Sequence, residues 1–412
     1  MLPLSPKPRA LLALFSLRYP QTTVQGQFNS FNHCKCLVLA LAFKRFSKTP
    51  NQTPSSHEMR NASTNPTGTL PRRILLPDCR DAAIRFTARE FAVLMPAETC
   101  QTIVGMSSAS DEGTILVTGA CGHIGSAVCR VLRGSKRKIL TVDVDPDKTT
   151  DVVACDLRLK DDLTRLFQTH RIRAVIHLAG ILPSAFQADP LAGADVNLAG
   201  CFELMRQAVN ARVKRFIFAS SMSVYGSSPS RRPMTEDDPT VPDEPYGAAK
   251  RAVELIGETL AKRVAIQFVS LRIARVVGPG IKKTSSPWRA QILEPLPRLD
   301  AIHIPFSPEA TLSLVHAEDV ARMLVTLADT AEMFSFVYNT PVEIWEPRRL
   351  KEVIEELRSI RVDLGPDLAH GGPMCDGSRF AREFGFQLRS LHDYLSDCTK
   401  KNIELRTAGR II

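Results

Sequence analysis

Tyr246-Gly247-Ala248-Ala249-Lys250 sets a phenol and an ammonium four residues apart, so that on a helix both point to one face. A free tyrosine titrates near 10, so acting as a base at neutral pH requires a fall of about 3 units, roughly 4 kcal/mol, which neighbouring positive charge can supply. Upstream, Ser220-Ser221-Met222-Ser223-Val224-Tyr225-Gly226 offers hydroxyl donors. This is chemistry suited to proton exchange, although a Tyr and Lys at this spacing also occur as a plain surface pair. A second cluster, Thr118-Gly119-Ala120-Cys121-Gly122-His123-Ile124-Gly125, has glycines where a phosphate-binding turn needs them. Gly119 permits the tight turn, Gly122 lets backbone approach a pyrophosphate, and Gly125 lets a following helix pack closely on its strand. Amides at that helix start would face the phosphates.

Eighteen residues after Gly125 stands Asp143, near the spacing at which a carboxylate accepts from an adenosine ribose and repels a 2′-phosphate. NAD is therefore expected rather than NADP. The basic run Lys136-Arg137-Lys138 lies at the other end of a short strand, roughly 16 Å away. Asp156 is placed either to meet the adenine edge or to serve as a turn aspartate.

Elements that could hold these residues begin at Asp111. Strands are expected at Thr114 to Thr118, Lys138 to Val142, Asp151 to Cys155, Ala174 to Leu178, Arg215 to Ser220 and Ala265 to Arg272. Helices are expected near Ile124 to Arg133, Asp161 to Thr169, Asn197 to Asn210 and Tyr246 to Arg263. The alternation predicts an α/β fold, a doubly wound parallel sheet of the Rossmann type, with its ligand beyond the carboxyl ends of the strands. After about Arg275 prolines break the pattern, and a smaller substrate-capping region is expected. The division is 1–110 as a basic extension, 111–275 as the NAD-binding domain and 276–412 as the cap.

The glycine loop, Asp143, His177-Leu178-Ala179-Gly180, Ser220 to Gly226 and Tyr246 to Lys250, in this order and spacing, resemble the extended short-chain dehydrogenase/reductases, the NAD-dependent epimerase/dehydratase family. The resemblance covers about residues 113 to 410. It implies that Ser221 holds a substrate oxygen, with Ser223 as runner-up, that Tyr246 exchanges its proton, and that Lys250 binds the nicotinamide ribose and lowers the tyrosine pKa. Leu178, Ala179 and Gly180 would line the nicotinamide side, and Asn197 would serve a water or the backbone. His123 would sit at the rim of the phosphate loop. Helix-paired homodimers are common in the family.

Nucleotide-sugar epimerases of the family usually carry Arg-x-x-Asn after the sixth strand, where this chain has Arg272-Ile273-Ala274-Arg275. Arg275, with Arg289, could instead form a fork for a carboxylate or phosphate; solvent-facing or packing roles are the alternative, and Lys282 and Lys283 read as solvated. An NAD-dependent dehydrogenase of a sugar, sugar acid or related hydroxy acid is thus expected. A nucleotide-sugar epimerase or dehydratase that returns the hydride is the second reading, and a noncatalytic NAD-sensing module the third. Val315-His316-Ala317-Glu318-Asp319-Val320 resembles a recurrent family segment and reads as the opening of a helix.

The 412 residues carry 53 basic and 43 acidic side chains, net +10, but most of the excess lies in the first 110 residues. The remainder is near neutral and presents no basic stripe, which argues against a nucleic-acid partner. No apolar run approaches the roughly 20 residues of a membrane span. The ten cysteines show no zinc spacing, so no metal is expected and the thiols read as reduced and mostly buried. Residues 1–57 lack Asp and Glu altogether, as a mitochondrial or plastid transit peptide would, or as a mis-assigned start would. Met106 offers an alternative start, and without a transit peptide the protein is expected in the cytoplasm.

Overall fold

The computed structural model describes residues 113–146, 151–280, 286–294, 301–368 and 370–407. The expectations for the 1–110 extension, the Met106 start, Lys282 and Lys283 lie outside them. The chain opens with β1 (Thr114–Thr118), α1 (His123–Gly134), β2 (Ile139–Asp143), the two-residue β3 (Val153–Ala154), α2 (Lys160–Thr169) and β4 (Ile172–His177). Then come α3 (Pro183–Ala188), α4 (Pro190–Ala194), a π-helical turn over Asp195–Gly200, α5 (Cys201–Asn210) and β5 (Arg215–Ser221). A 3-10 turn (Met222–Tyr225) leads towards α6 (Pro245–Ala261) and β6 (Gln267–Ile273). The rest is β7 (Arg275–Val277), α7 (Trp288–Gln291), β8 (Ala301–Phe306), β9 (Leu312–His316), α8 (Ala317–Asp329), β10 (Val337–Asn339), β11 (Glu343–Trp345), α9 (Pro347–Arg358), β12 (Arg361–Leu368), α10 (Ser378–Phe384) and α11 (Leu391–Thr407).

Seven strands form one parallel sheet in the order β10-β6-β5-β4-β1-β2-β3. Its strands are buried on both faces, as parallel sheets require, and successive residues feed opposite cores. Ile217 and Ala219 pack with α1 and α8, while Phe216 and Phe218 pack with α2, α5 and Val253 of α6. The order reverses beside β1, and that switch point is where β1 and β4 present their carboxyl ends to a ligand.

The path departs from the expected division at residue 275. After leaving for β7, β8 and β9, the chain returns through α8, which covers the sheet beside α1, and adds β10 to the edge of β6. A parallel edge strand needs a crossover, and α8 provides one while burying Val320, Met323, Leu324 and Leu327 on sheet apolar surface. Residues 317–339 therefore belong to the main sheet. The capping region is the remainder: the β11-β9-β7 sheet, the β12-β8 pair and a third core around Trp288, Ile302, Ile304, Leu350 and Ile354. Cys129, Cys155, Cys201, Cys375 and Cys398 are buried free thiols, and Cys121 is exposed.

Candidate active site

The glycine loop joins β1 to α1 and is shaped by backbone contact. Gly119 has φ +68°, and a Cβ there would lie 2.7 Å from the Ala179 nitrogen. A Cβ on Gly125 would lie 2.0 Å from the Gly119 oxygen, so the helix can start this close to its strand only with glycine. A Cβ on Gly122 would lie 3.1 Å from the same oxygen and would fill the cradle over the helix start. Asp143, ending β2 beside this loop, accepts the Cys121 N–H at 2.9 Å through Oδ2. Loop amides that can donate to a pyrophosphate and a carboxylate at the neighbouring strand end that can accept from a ribose are what a dinucleotide needs, so these residues fit NAD.

Leu178, Ala179 and Gly180 follow β4 on the same edge. Thr118 Oγ1 lies 3.3 Å from the Leu178 and Ala179 nitrogens and 2.7 Å from His177 Nδ1, which ties the two strand ends together. Burial lowers His177 to about 3 and keeps it neutral. Asn197 takes the backbone role: its Oδ1 accepts from the Ile181 N–H at 2.7 Å and its Nδ2 donates to the Ile181 carbonyl at 2.9 Å. The expected plain helix from Asn197 begins instead as a π-turn, a wider coil often found at functional sites.

Two cofactor-side expectations change. Asp156 accepts from the Arg158 N–H at 2.9 Å and from its guanidinium at 2.6 to 3.0 Å, which lowers its pKa. Its carboxylate is thus held by Arg158 within its own turn. His123, the first residue of α1, turns to the cap, where a Cβ on Gly278 would lie 3.3 Å from its Cε1. Burial, with Arg289 nearby, lowers it to about 4. Ile124 packs on the sheet core.

At the acid–base end, β5 delivers Ser221 and the 3-10 turn delivers Ser223. The Ser221 and Ser223 hydroxyls are 3.3 Å apart, and Ser221 Oγ also accepts the Ser223 N–H at 3.1 Å. Tyr246, in the first turn of α6, lies close enough to Ser221 for that hydroxyl to favour the phenolate. Phe186 of α3 stands edge-on to its ring at 6.4 Å. One turn on, the buried Lys250 donates to the Ala219 carbonyl at 2.8 Å and lies over the Phe218 and Tyr246 rings at 4.7 and 5.4 Å. Burial lowers Lys250 to about 8. The expected fall in the Tyr246 pKa is not produced by the chain's own groups. Burial and the neighbouring Glu244 carboxylate raise it to about 12, outweighing the pull of the Ser221 hydroxyl.

Arg275 opens β7, just past Ile273, the β6 partner of Ser221. Its Nη2 donates to the Gly371 carbonyl at 3.0 Å, its guanidinium lies 4.9 Å from the Phe306 ring centre, and its buried Nε has no partner among the described residues. Burial lowers it to about 10, with Arg289 adding to the fall. Arg289 on α7 donates from Nε to the Ser286 carbonyl at 3.5 Å, and burial lowers it too. His316 caps α8 by accepting the Glu318 N–H at 3.1 Å, and Glu318 and Asp319 occupy the first turn, as the sequence leads one to expect.

Sequence reasoning missed Glu254, Arg272 and Tyr225, whose side chains form a buried network under the serine segment. The signal was present, since Glu254 stands four residues beyond Lys250 on the same helix face.

A Rossmann sheet, a glycine loop with Asp143 beside it and a Ser–Tyr–Lys constellation at the strand ends define an extended short-chain dehydrogenase/reductase. The chain belongs to the NAD dependent epimerase/dehydratase family, whose family model matches residues 115–339. It is 31% identical over 171 residues to a UDP-glucose 4-epimerase of Halalkalibacterium halodurans, covering 40% of this chain and 51% of that enzyme. It is 30% identical to UDP-glucose 4-epimerase 4 of Oryza sativa subsp. japonica, covering 37% of this chain and 46% of that one. The chain thus spans about half the length of the curated relatives it matches. Among solved structures, MoeE5 in complex with UDP-glucose and NAD superposes with a TM-score of 0.60 at 27% identity, covering 71% of this chain and all of that one (100%). An L-threonine dehydrogenase from Phytophthora infestans, 20% identical, shares the fold with a TM-score of 0.63, covering 72% of this chain and 99% of its own. No described helix is long and apolar enough to cross a membrane.

Proposed function

We propose that this protein is an NAD-dependent oxidoreductase that acts by hydride transfer on a hydroxyl of a sugar, sugar acid or related hydroxy acid. What supports the reading is the gathering of Ser221, Ser223 and Tyr246 at the strand ends, with Lys250 anchored one helical turn from Tyr246 on the Ala219 carbonyl. NAD, when bound, supplies the acceptor for the hydride. Ser221, with Ser223 beside it, holds the substrate oxygen, and Tyr246 exchanges the hydroxyl proton. With its pKa at about 12, Tyr246 starts as a proton donor; in the oxidising direction, positive charge next to the phenol must bring it down. Asp143 selects NAD over NADP. Arg275 and Arg289 favour an acidic substrate, because a guanidinium is matched by a carboxylate or phosphate and the buried Arg275 Nε has no partner among the described residues.

The second reading is a nucleotide-sugar epimerase or dehydratase, favoured by the relatives named UDP-glucose 4-epimerase. For either, exposed Leu255 and Ile256 on α6 support a homodimer paired through helices. The cytoplasm suits the free thiols, or a mitochondrion or plastid if residues 1–57 direct it there. The test is incubation of the purified protein with NAD and a panel of sugars, uronic acids and nucleotide sugars while the absorbance of reduced cofactor is followed. A dehydrogenase accumulates NADH with its substrate. An epimerase isomerises a nucleotide sugar without NADH build-up, and binding of NAD with neither result overturns both readings.

A further inference from the structure

Helix α6 grips the end of β5 at three consecutive residues. Lys250 donates to the Ala219 carbonyl at 2.8 Å, Glu254 Oε1 accepts from Ser220 Oγ at 2.6 Å, and Tyr246 comes close enough to Ser221 for that hydroxyl to act on its pKa. Positions 246, 250 and 254 share one helix face. The first and last contacts belong to the acid–base group; the middle one does not. Glu254 is 4% exposed, and its carboxylate is held by Arg272, which donates from Nε at 2.9 Å and from Nη2 at 2.8 Å. Arg251 adds a contact at 2.9 Å from the half-buried side.

Arg272 also reaches forward. Its Nη1 donates to the Tyr225 hydroxyl at 2.7 Å, and its guanidinium lies over that ring at 4.9 Å. The hydroxyl lies 2.9 Å from Asn339 Oδ1 and 2.8 Å from the Thr235 carbonyl. Ser220 before the active serines and Tyr225 after them are therefore tied to one buried ion pair. Such a pair contributes little net stability compared with apolar packing, because desolvation offsets its attraction. Its directional hydrogen bonds do fix geometry.

We propose that Glu254 and Arg272 are positioning residues, whose buried pair sets the height of α6 against β5 and thereby the placement of Tyr246 against Ser221. The consequence for rate rests on the acid–base reading above. One residue of slip along a helix is about 1.5 Å, and misplacement by about 1 Å can lower a rate on the order of a hundredfold.

Ser220→Ala tests this with the ion pair left intact, so that the fold is retained. The expected result is a fall in kcat of about tenfold or more, with the directly measured Kd for NAD unchanged and the hydroxyl-bearing Ser220→Thr restoring the rate. Tyr225→Phe should lower kcat in the same direction by a smaller factor. Ile354→Val, in the cap core, is the control for mild destabilisation and should leave kcat as it is. Amide hydrogen exchange over residues 215–225 should quicken in Ser220→Ala and stay unchanged in Ile354→Val. Wild-type kcat and exchange in Ser220→Ala, or no recovery in Ser220→Thr, would overturn the proposal. Full turnover in Tyr246→Phe would sink the acid–base reading instead, while the exchange measurement, which needs no substrate, still decides the positioning.

Discussion

At the glycine loop the geometry is made by backbone, with Gly119 and Gly125 tolerating no Cβ and Asp143, at a half-open strand end, bonded to the loop amide of Cys121. At the Tyr246 end it is made by side chains, with Lys250 and Glu254 both buried and each tied to β5. Shape governs the first region, so its failures should appear in cofactor affinity. Charge and hydrogen bonding govern the second, so its failures should appear in rate and in pH dependence.

The sharpest break is Tyr246→Phe, which keeps the ring against Phe186 and deletes the proton-exchanging oxygen. Turnover should fall roughly 10²- to 10⁴-fold while calorimetry shows NAD binding intact; lost NAD binding would erase the contrast between the regions. Next is Gly125→Ala, whose methyl would meet the Gly119 oxygen. NAD affinity should drop about tenfold or more, with kcat at saturating NAD far less affected. Asp143→Ser removes the carboxylate that repels a 2′-phosphate, and the ratio of NAD to NADP affinity should narrow on the order of tenfold. An unchanged ratio would remove Asp143 from selectivity.

The smallest effect concerns pH. Lys250 is lowered from 10.5 to about 8 by burial, so between those values the unfolded chain binds the proton that the folded chain has lost. Stability therefore rises with pH across that window, and the cost of burying the ammonium is fully present below about pH 8. Tyr246 acts in the opposite sense above 10, because its folded pKa is raised. Scanning calorimetry should show the Tm of the wild type gaining on that of Lys250→Met by roughly a few degrees between pH 8 and 10. A flat difference would mean that Lys250 is not desolvated as its burial indicates.

The parts legible from sequence were those with local causes. The strand and helix ends of the expected core elements fall within two residues of the observed ones, apart from the start of the helix expected from Asn197, where a π-turn precedes the α-helix that opens at Cys201, because each rests on its own apolar periodicity. The glycine loop, Asp143 and the Tyr–Lys spacing were legible for the same reason. Asp156 was open between two roles until Arg158, two residues away, was seen to take its carboxylate. Glu254 looked like an ordinary helical glutamate because its partners, Ser220 and Arg272, come from two other strands.

Sequence alone determined the class of fold, the end of the sheet where chemistry must occur and the residue types available there, since these follow from periodicity and from steric limits at glycine. Only the tertiary structure decided that α8 and β10 return to complete the sheet, that burial drives Tyr246 up and Lys250 down, and that a hidden ion pair holds the serines against the helix. Desolvation and long-range pairing depend on which distant segments meet, and no spacing along a chain records that.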